Sequence, residues 1–160
     1  MAASTDSPID RPEERSFHAG LTTTASVTRN SLGIQAGDLR SVVKQVKKGF
    51  PYRAIERFQR ASRLPTERIA RIVEIPPRTL ARRKAVGRLT KAESERLLRL
   101  AMVFEKAMNL FEGNLDAARA WLEGPQKALG GEAPLSALET EIGAREVEDV
   151  IGRLEHGVFT

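Results

Sequence analysis

The sequence predicts an all-α protein. Apolar residues recur at three- and four-residue spacing in successive runs from Leu39 to Leu154, and capping residues stand at the starts of several runs. No pair of alternating runs suggests a strand hairpin. Residues 1–37 read as a flexible tail, rich in Ser, Thr, Asp, Pro and Gly and without apolar periodicity. Asp38 can cap a first helix carrying Leu39, Val42, Val43 and Val46, which Gly49 ends. Pro51 suits the first turn of a second helix with Ala54, Ile55 and Phe58 on one face. Ile69, Ala70 and Val73 give a short third helix, and Pro76-Pro77 opens a fourth that bears Leu80.

Thr90-Lys91-Ala92-Glu93 has the form of a capping box, in which hydroxyl and carboxylate satisfy each other's free backbone N–H groups. It starts the longest expected helix, 91–112. One stripe there holds Leu97, Ala101, Phe104, Met108 and Phe111, widened by Leu100, Val103, Ala107 and Leu110. A stripe this wide points to burial on more than one side, between subdomains or between subunits. Asn114 can cap the next helix, with Leu115, Ala118, Trp121 and Leu122. Leu135 and Leu138 mark a short helical turn. A last helix, 144–155, presents Val147, Val150, Ile151 and Leu154 before Gly157.

Composition narrows the function. The 160 residues contain no Cys and two His, which excludes disulfides, a Cys nucleophile and thiolate metal sites and disfavours a His-based one. No apolar run approaches the roughly 18 residues of a membrane span. The N-terminus lacks the apolar core of a signal peptide, so a cytoplasmic location is expected. Charge is unevenly distributed. Residues 44–91 hold 15 basic and 3 acidic residues, whereas 92–160 hold 7 basic and 13 acidic. Clustered Lys and Arg gain affinity for a polyanion by releasing its counterions, so the basic third points to nucleic acid.

A helix-turn-helix candidate lies within that third. In the window Thr66–Ala85, Ile69, Ala70, Val73, Ile75 and Leu80 occupy the inward positions of such a motif. The second helix, Pro77–Lys84, then offers Arg78, Thr79, Arg82 and Arg83. Arg forks suit guanine edges in the major groove and phosphates. Arg78, Thr79 and Arg82 are assigned to bases, Lys84 and Arg88 to phosphates. Two positions depart from the pattern: Glu74 stands where the turn usually has Gly, and Arg83 where an apolar residue is usual.

Other chemistry is thin. Ser41-Val42-Val43-Lys44 has an SxxK spacing without companion motifs. The glutamates at 139, 141, 146 and 148 with Asp149 read as a solvated acidic face, and Gly130-Gly131 has neither the preceding strand nor the following Lys-Ser/Thr of a phosphate loop. No enzyme activity, metal or cofactor is expected.

The segments 78–84, 87–90 and 93–100 resemble the Xre/MbcA/ParS antitoxins. The likeness continues through Ala118-Arg119-Ala120-Trp121-Leu122, residues 128–135 and residues 152–159, and so covers about 38–160. The resemblance implies a helix-turn-helix DNA-binding and dimerising part, 38–90, and a C-terminal toxin-binding part, 91–160. It implies an operon-encoded antitoxin for a RES-domain toxin that consumes NAD. The toxin would be held inactive by direct contact, and the complex would repress its own promoter. On this reading Arg153, Glu155, His156, Gly157, Val158 and Phe159 lie in or beside the element covering the toxin's pocket. The same end of the chain can instead close the protein's own core. A homodimer is expected, because two helices reading adjacent half-sites need two-fold symmetry. The alternative is a stand-alone helix-turn-helix regulator with no toxin partner.

Overall fold

The computed structural model describes residues 26–157. The described chain opens in a helix, residues 26–32 (α1), and continues with α2 (Leu39–Lys48), α3 (Arg53–Ser62), α4 (Thr66–Ile72), α5 (Pro77–Val86) and α6 (Lys91–Leu110). α7 (Leu115–Glu123), a 3-10 turn (Lys127–Leu129), α8 (Pro134–Ala137) and α9 (Glu141–Glu155) follow. No strand occurs among the described residues; a single antiparallel bridge joins Pro51 to Arg88.

Local chemistry sets the starts of these helices. The Asp38 carboxylate accepts the Ser41 N–H at 2.8 Å, Asn114 accepts that of Ala117 at 3.0 Å, and the Thr140 hydroxyl accepts that of Gly143 at 3.0 Å. The capping box forms in both directions: Glu93 N–H donates to the Thr90 hydroxyl (3.2 Å) and Thr90 N–H to the Glu93 carboxylate (2.8 Å). Thr140 starts α9 three residues before the sequence expectation of 144, because a cap can sit ahead of the first apolar residue of the face.

α6 is the centre of the molecule. It packs against α2, α3, α4, α7 and α9. Leu97, Leu100, Ala101, Val103, Phe104 and Ala107 are buried, and Phe104 meets Phe58 of α3 edge-on with ring centroids 5.5 Å apart. The wide stripe is therefore filled from within the chain.

The tail reading needs correction at its C-terminal end. Residues 26–32 are helical, and Val27, Leu32, Ile34 and Ala36 are buried. The Ser31 hydroxyl reaches Glu105 of α6 at 3.4 Å. Few apolar residues spaced among Thr, Ser, Arg and Asn gave no readable period, yet burial in the shared core is sufficient to hold the segment. The rest of the expected tail, residues 1–25, lies outside the described residues.

A second difference concerns α2. Only Val42 and Val46 of its apolar set are buried; Leu39 and Val43 remain 39% and 45% exposed. With the half-buried Leu98 and Met102 of α6 they line an open groove, edged by Lys47, Lys91, Arg99, Glu95 and Glu148.

Candidate DNA-contacting and toxin-binding surfaces

α4, the turn at Val73–Pro76 and α5 make the helix-turn-helix. Its inward residues Ile69, Ala70, Val73 and Ile75 are buried and Leu80 is half-buried. The small Ala70 lets the two helices approach, and its carbonyl accepts the Ile75 N–H at 2.8 Å across the turn. Pro77 occupies the first turn of α5, where no backbone donor is needed.

Both departures from the usual pattern are taken up by α6. Glu74 adopts the left-handed backbone that the turn requires, with φ +59°. Its carboxylate pairs with Arg96 at 3.0 Å, and Arg96 also donates to the Val73 carbonyl at 3.5 Å. Arg83 donates through Nε to both oxygens of Glu93, at 3.1 and 2.9 Å. The two side chains of this pair are 18% and 8% exposed. Burial opposes the charge of Glu93, but the hydrogen bonds from Arg83 and the Thr90 backbone, with the Arg83 charge, hold its carboxyl below the ordinary range.

The C-terminal end of α5 is tied down by backbone. Tyr52 N–H donates to the Gly87 carbonyl at 2.9 Å and Leu89 N–H to that of Phe50 at 2.8 Å. Ser94 on α6 secures the same corner: its hydroxyl accepts the buried Phe50 N–H at 2.8 Å and donates to the Thr90 carbonyl at 2.6 Å. No residue of α5 is fully buried, and one face is left free. Arg78, Arg82 and Lys84 are exposed on it and Thr79 is half-buried. Arg88 is also exposed, but its guanidinium donates to the Gly49 carbonyl at 2.6 Å. Of the six residues assigned to DNA, Arg78, Arg82 and Lys84 thus stand free on α5, whereas Arg83 turns inward to α6. The pattern signalled Arg83 as unusual, but not its partner. Glu93 was legible as a capping residue and its second contact was not.

At the other end, α9 buries Ala144, Val147, Val150 and Ile151 and half-buries Leu154. Gly143 lets it lie directly against the Ala137 carbonyl, where a Cβ would overlap. Its outer face carries exposed Glu141, Glu146, Asp149 and Glu155. Arg153, Glu155, His156 and Gly157 are all exposed at the helix end. Glu148, Asp149, Gly152, Arg153 and His156 line a shallow depression there. Val158 and Phe159 lie outside the described residues. Among the described residues there is no His/Asp/Glu cluster suited to a metal, and no helix long and apolar enough to cross a membrane.

Residues 41–102 match the antitoxin Xre-like helix-turn-helix domain. Residues 106–157 match the antitoxin Xre/MbcA/ParS C-terminal toxin-binding domain. A protein of Yersinia enterocolitica (serotype O:8 / biotype 1B) called antitoxin Xre is 40% identical over 147 residues, which cover 91% of this chain and 99% of the relative. The chain belongs to the Xre antitoxins. An antitoxin Xre of Photorhabdus laumondii is 37% identical over 72% of this chain and 78% of its own length, and one of Pseudomonas putida is 34% identical over 52% of each. The first domain match ends inside α6 and the second begins there. The helix that clasps the helix-turn-helix unit thus continues into the unit that matches the family's toxin-binding domain.

Proposed function

We propose that this protein neutralises a RES-domain, NAD-consuming toxin by covering its active site, and represses its own operon by binding the promoter through α5. The observation that carries the reading is the pairing, in one chain, of a helix-turn-helix domain with a toxin-binding domain of the Xre antitoxins. The free cationic face of α5 suits the operator, with Arg78, Thr79 and Arg82 toward bases and Lys84 and Arg88 toward phosphates. The acidic outer face of α9 and the exposed end at Arg153, Glu155, His156 and Gly157 suit a cationic pocket of the kind that binds a pyrophosphate, with Val158 and Phe159 completing the covering segment.

The protein acts in the cytoplasm as a homodimer and has no catalytic role of its own. A second copy is the proposed occupant of the groove at Leu39, Val43, Leu98 and Met102. Its rim carries Lys47, Lys91 and Arg99 together with Glu95 and Glu148, so a two-fold contact can set each sign against the other.

Truncation after Gly152 tests the toxin contact. The last fully buried residue of α9, Ile151, is retained, so a folded protein is expected, checked by its melting curve. The truncated protein should still bind operator DNA but fail to neutralise the toxin. Full neutralisation by the truncated protein would refute the covering role of the C-terminal segment.

A further inference from the structure

We propose that Glu93 is a positioning residue for DNA recognition: through Arg83 it fixes the pose of α5 and so sets the preference for operator over unrelated DNA. The inference rests on the reading of α5 as the DNA-contacting helix.

α5 has weak apolar anchorage, with Leu80 half-buried and no residue fully buried. Its ends are held by the turn before Pro77 and by the backbone bonds of Gly87 and Leu89. Between them, the ion pair from Arg83 to Glu93 is the side-chain tie that fixes the last turn of the helix to α6. The carboxylate is itself immobilised, because the oxygen that lies 2.9 Å from Arg83 also accepts the Thr90 N–H at 2.8 Å. Glu93 is 6% exposed, so a turn of α5 that withdrew Arg83 would leave a buried charge unpaired.

Arg82 is the neighbour of Arg83, and Arg78 lies little more than one turn before it. With side-chain ends about 6 Å from a helix axis, a rotation of about 20° displaces them by about 2 Å. That exceeds the tolerance of a hydrogen bond to a base edge. Phosphate contacts by flexible Lys and Arg side chains adapt to the same rotation. A fixed pose therefore matters for sequence discrimination more than for general affinity. Buried ion pairs contribute little net stability compared with an apolar substitute, and setting a register is their best-attested use.

The test compares the full-length protein with E93Q, R83M, the double variant and R82A. Binding is measured to a duplex from upstream of its own gene and to a scrambled duplex of equal length, over a range of salt concentrations. E93Q and R83M should each lower the operator-to-scrambled ratio about tenfold, the size expected when one set of base contacts is misplaced. The dependence on salt should stay that of the unmodified protein, and the double variant should be no worse than either single one. R83M keeps the capping box, and the double variant leaves no unpaired charge, so the comparison survives if E93Q fails to fold.

An unchanged ratio in the folded clasp variants would overturn the inference. So would a loss confined to R83M with the salt slope reduced by about one, which is the signature of a direct phosphate contact. R82A separates the two levels. Loss of operator binding in R82A with normal ratios in the clasp variants removes the positioning role alone. Normal operator binding in R82A removes the reading of α5, and this inference with it.

Discussion

Ser94→Ala removes one hydroxyl at a corner where three helices meet. Ser94 is fully buried on α6, and Phe50, in the link between α2 and α3, is also fully buried. The hydroxyl accepts the Phe50 N–H at 2.8 Å and donates to the Thr90 carbonyl at 2.6 Å. The two losses are unequal. The Thr90 carbonyl keeps the Ser94 N–H at 2.9 Å, so it retains a partner. The Phe50 N–H, buried with its residue, loses its acceptor. A buried donor left unsatisfied costs about 1–3 kcal/mol, so the variant should lose about 2 kcal/mol. For a chain of this size that lowers Tm by about 4–8 °C. Urea unfolding followed by circular dichroism should show a reduced midpoint at an unchanged slope, and amide exchange should show faster opening at Phe50. A loss below about 0.5 kcal/mol, with Phe50 still protected, would refute the role given to this hydroxyl.

Gly49→Ala should be more damaging: φ is +83° and a Cβ would overlap the Leu89 carbonyl oxygen, so α2 must shift. A loss of at least about 2 kcal/mol in urea unfolding is expected, with strain alone supplying about 1–2 kcal/mol. Because Glu93 has its carboxyl held below the ordinary value near 4.5, its stabilisation is present above that value and fades as pH falls through the lower, folded one. The stability of the unmodified protein should therefore fall more steeply below about pH 4.5 than that of E93Q, read as the difference between their unfolding midpoints; parallel curves would contradict this. Val43→Glu places a charge in the α2–α6 groove and should shift sedimentation toward monomer while leaving the melting curve nearly unchanged, since Val43 is 45% exposed.

Much of the fold was legible because its signals are local. Asp38, Thr90 and Asn114 cap the helices expected of them, and the inward residues of α4 and α5 lie where the spacing puts them. α1 was not legible, because Val27 and Leu32 acquire meaning only against a core assembled from distant helices. The same limit applied to the site. The exposed cationic residues of α5 follow from sequence position alone. That Glu74 and Arg83 are answered by Arg96 and Glu93 depends on how α6 crosses the motif, which no spacing within the motif encodes. Leu39 and Val43 read as core by period, yet the fold buries only half of that face.

The most direct measurement is a growth test with the adjacent reading frame. That frame is expressed alone and together with this protein, and viability and intracellular NAD are followed. An antitoxin for an NAD-consuming toxin predicts that the neighbour alone arrests growth and depletes NAD, and that co-expression restores both. A neighbour that is harmless, or that arrests growth regardless of this protein, would contradict the proposed neutralising function.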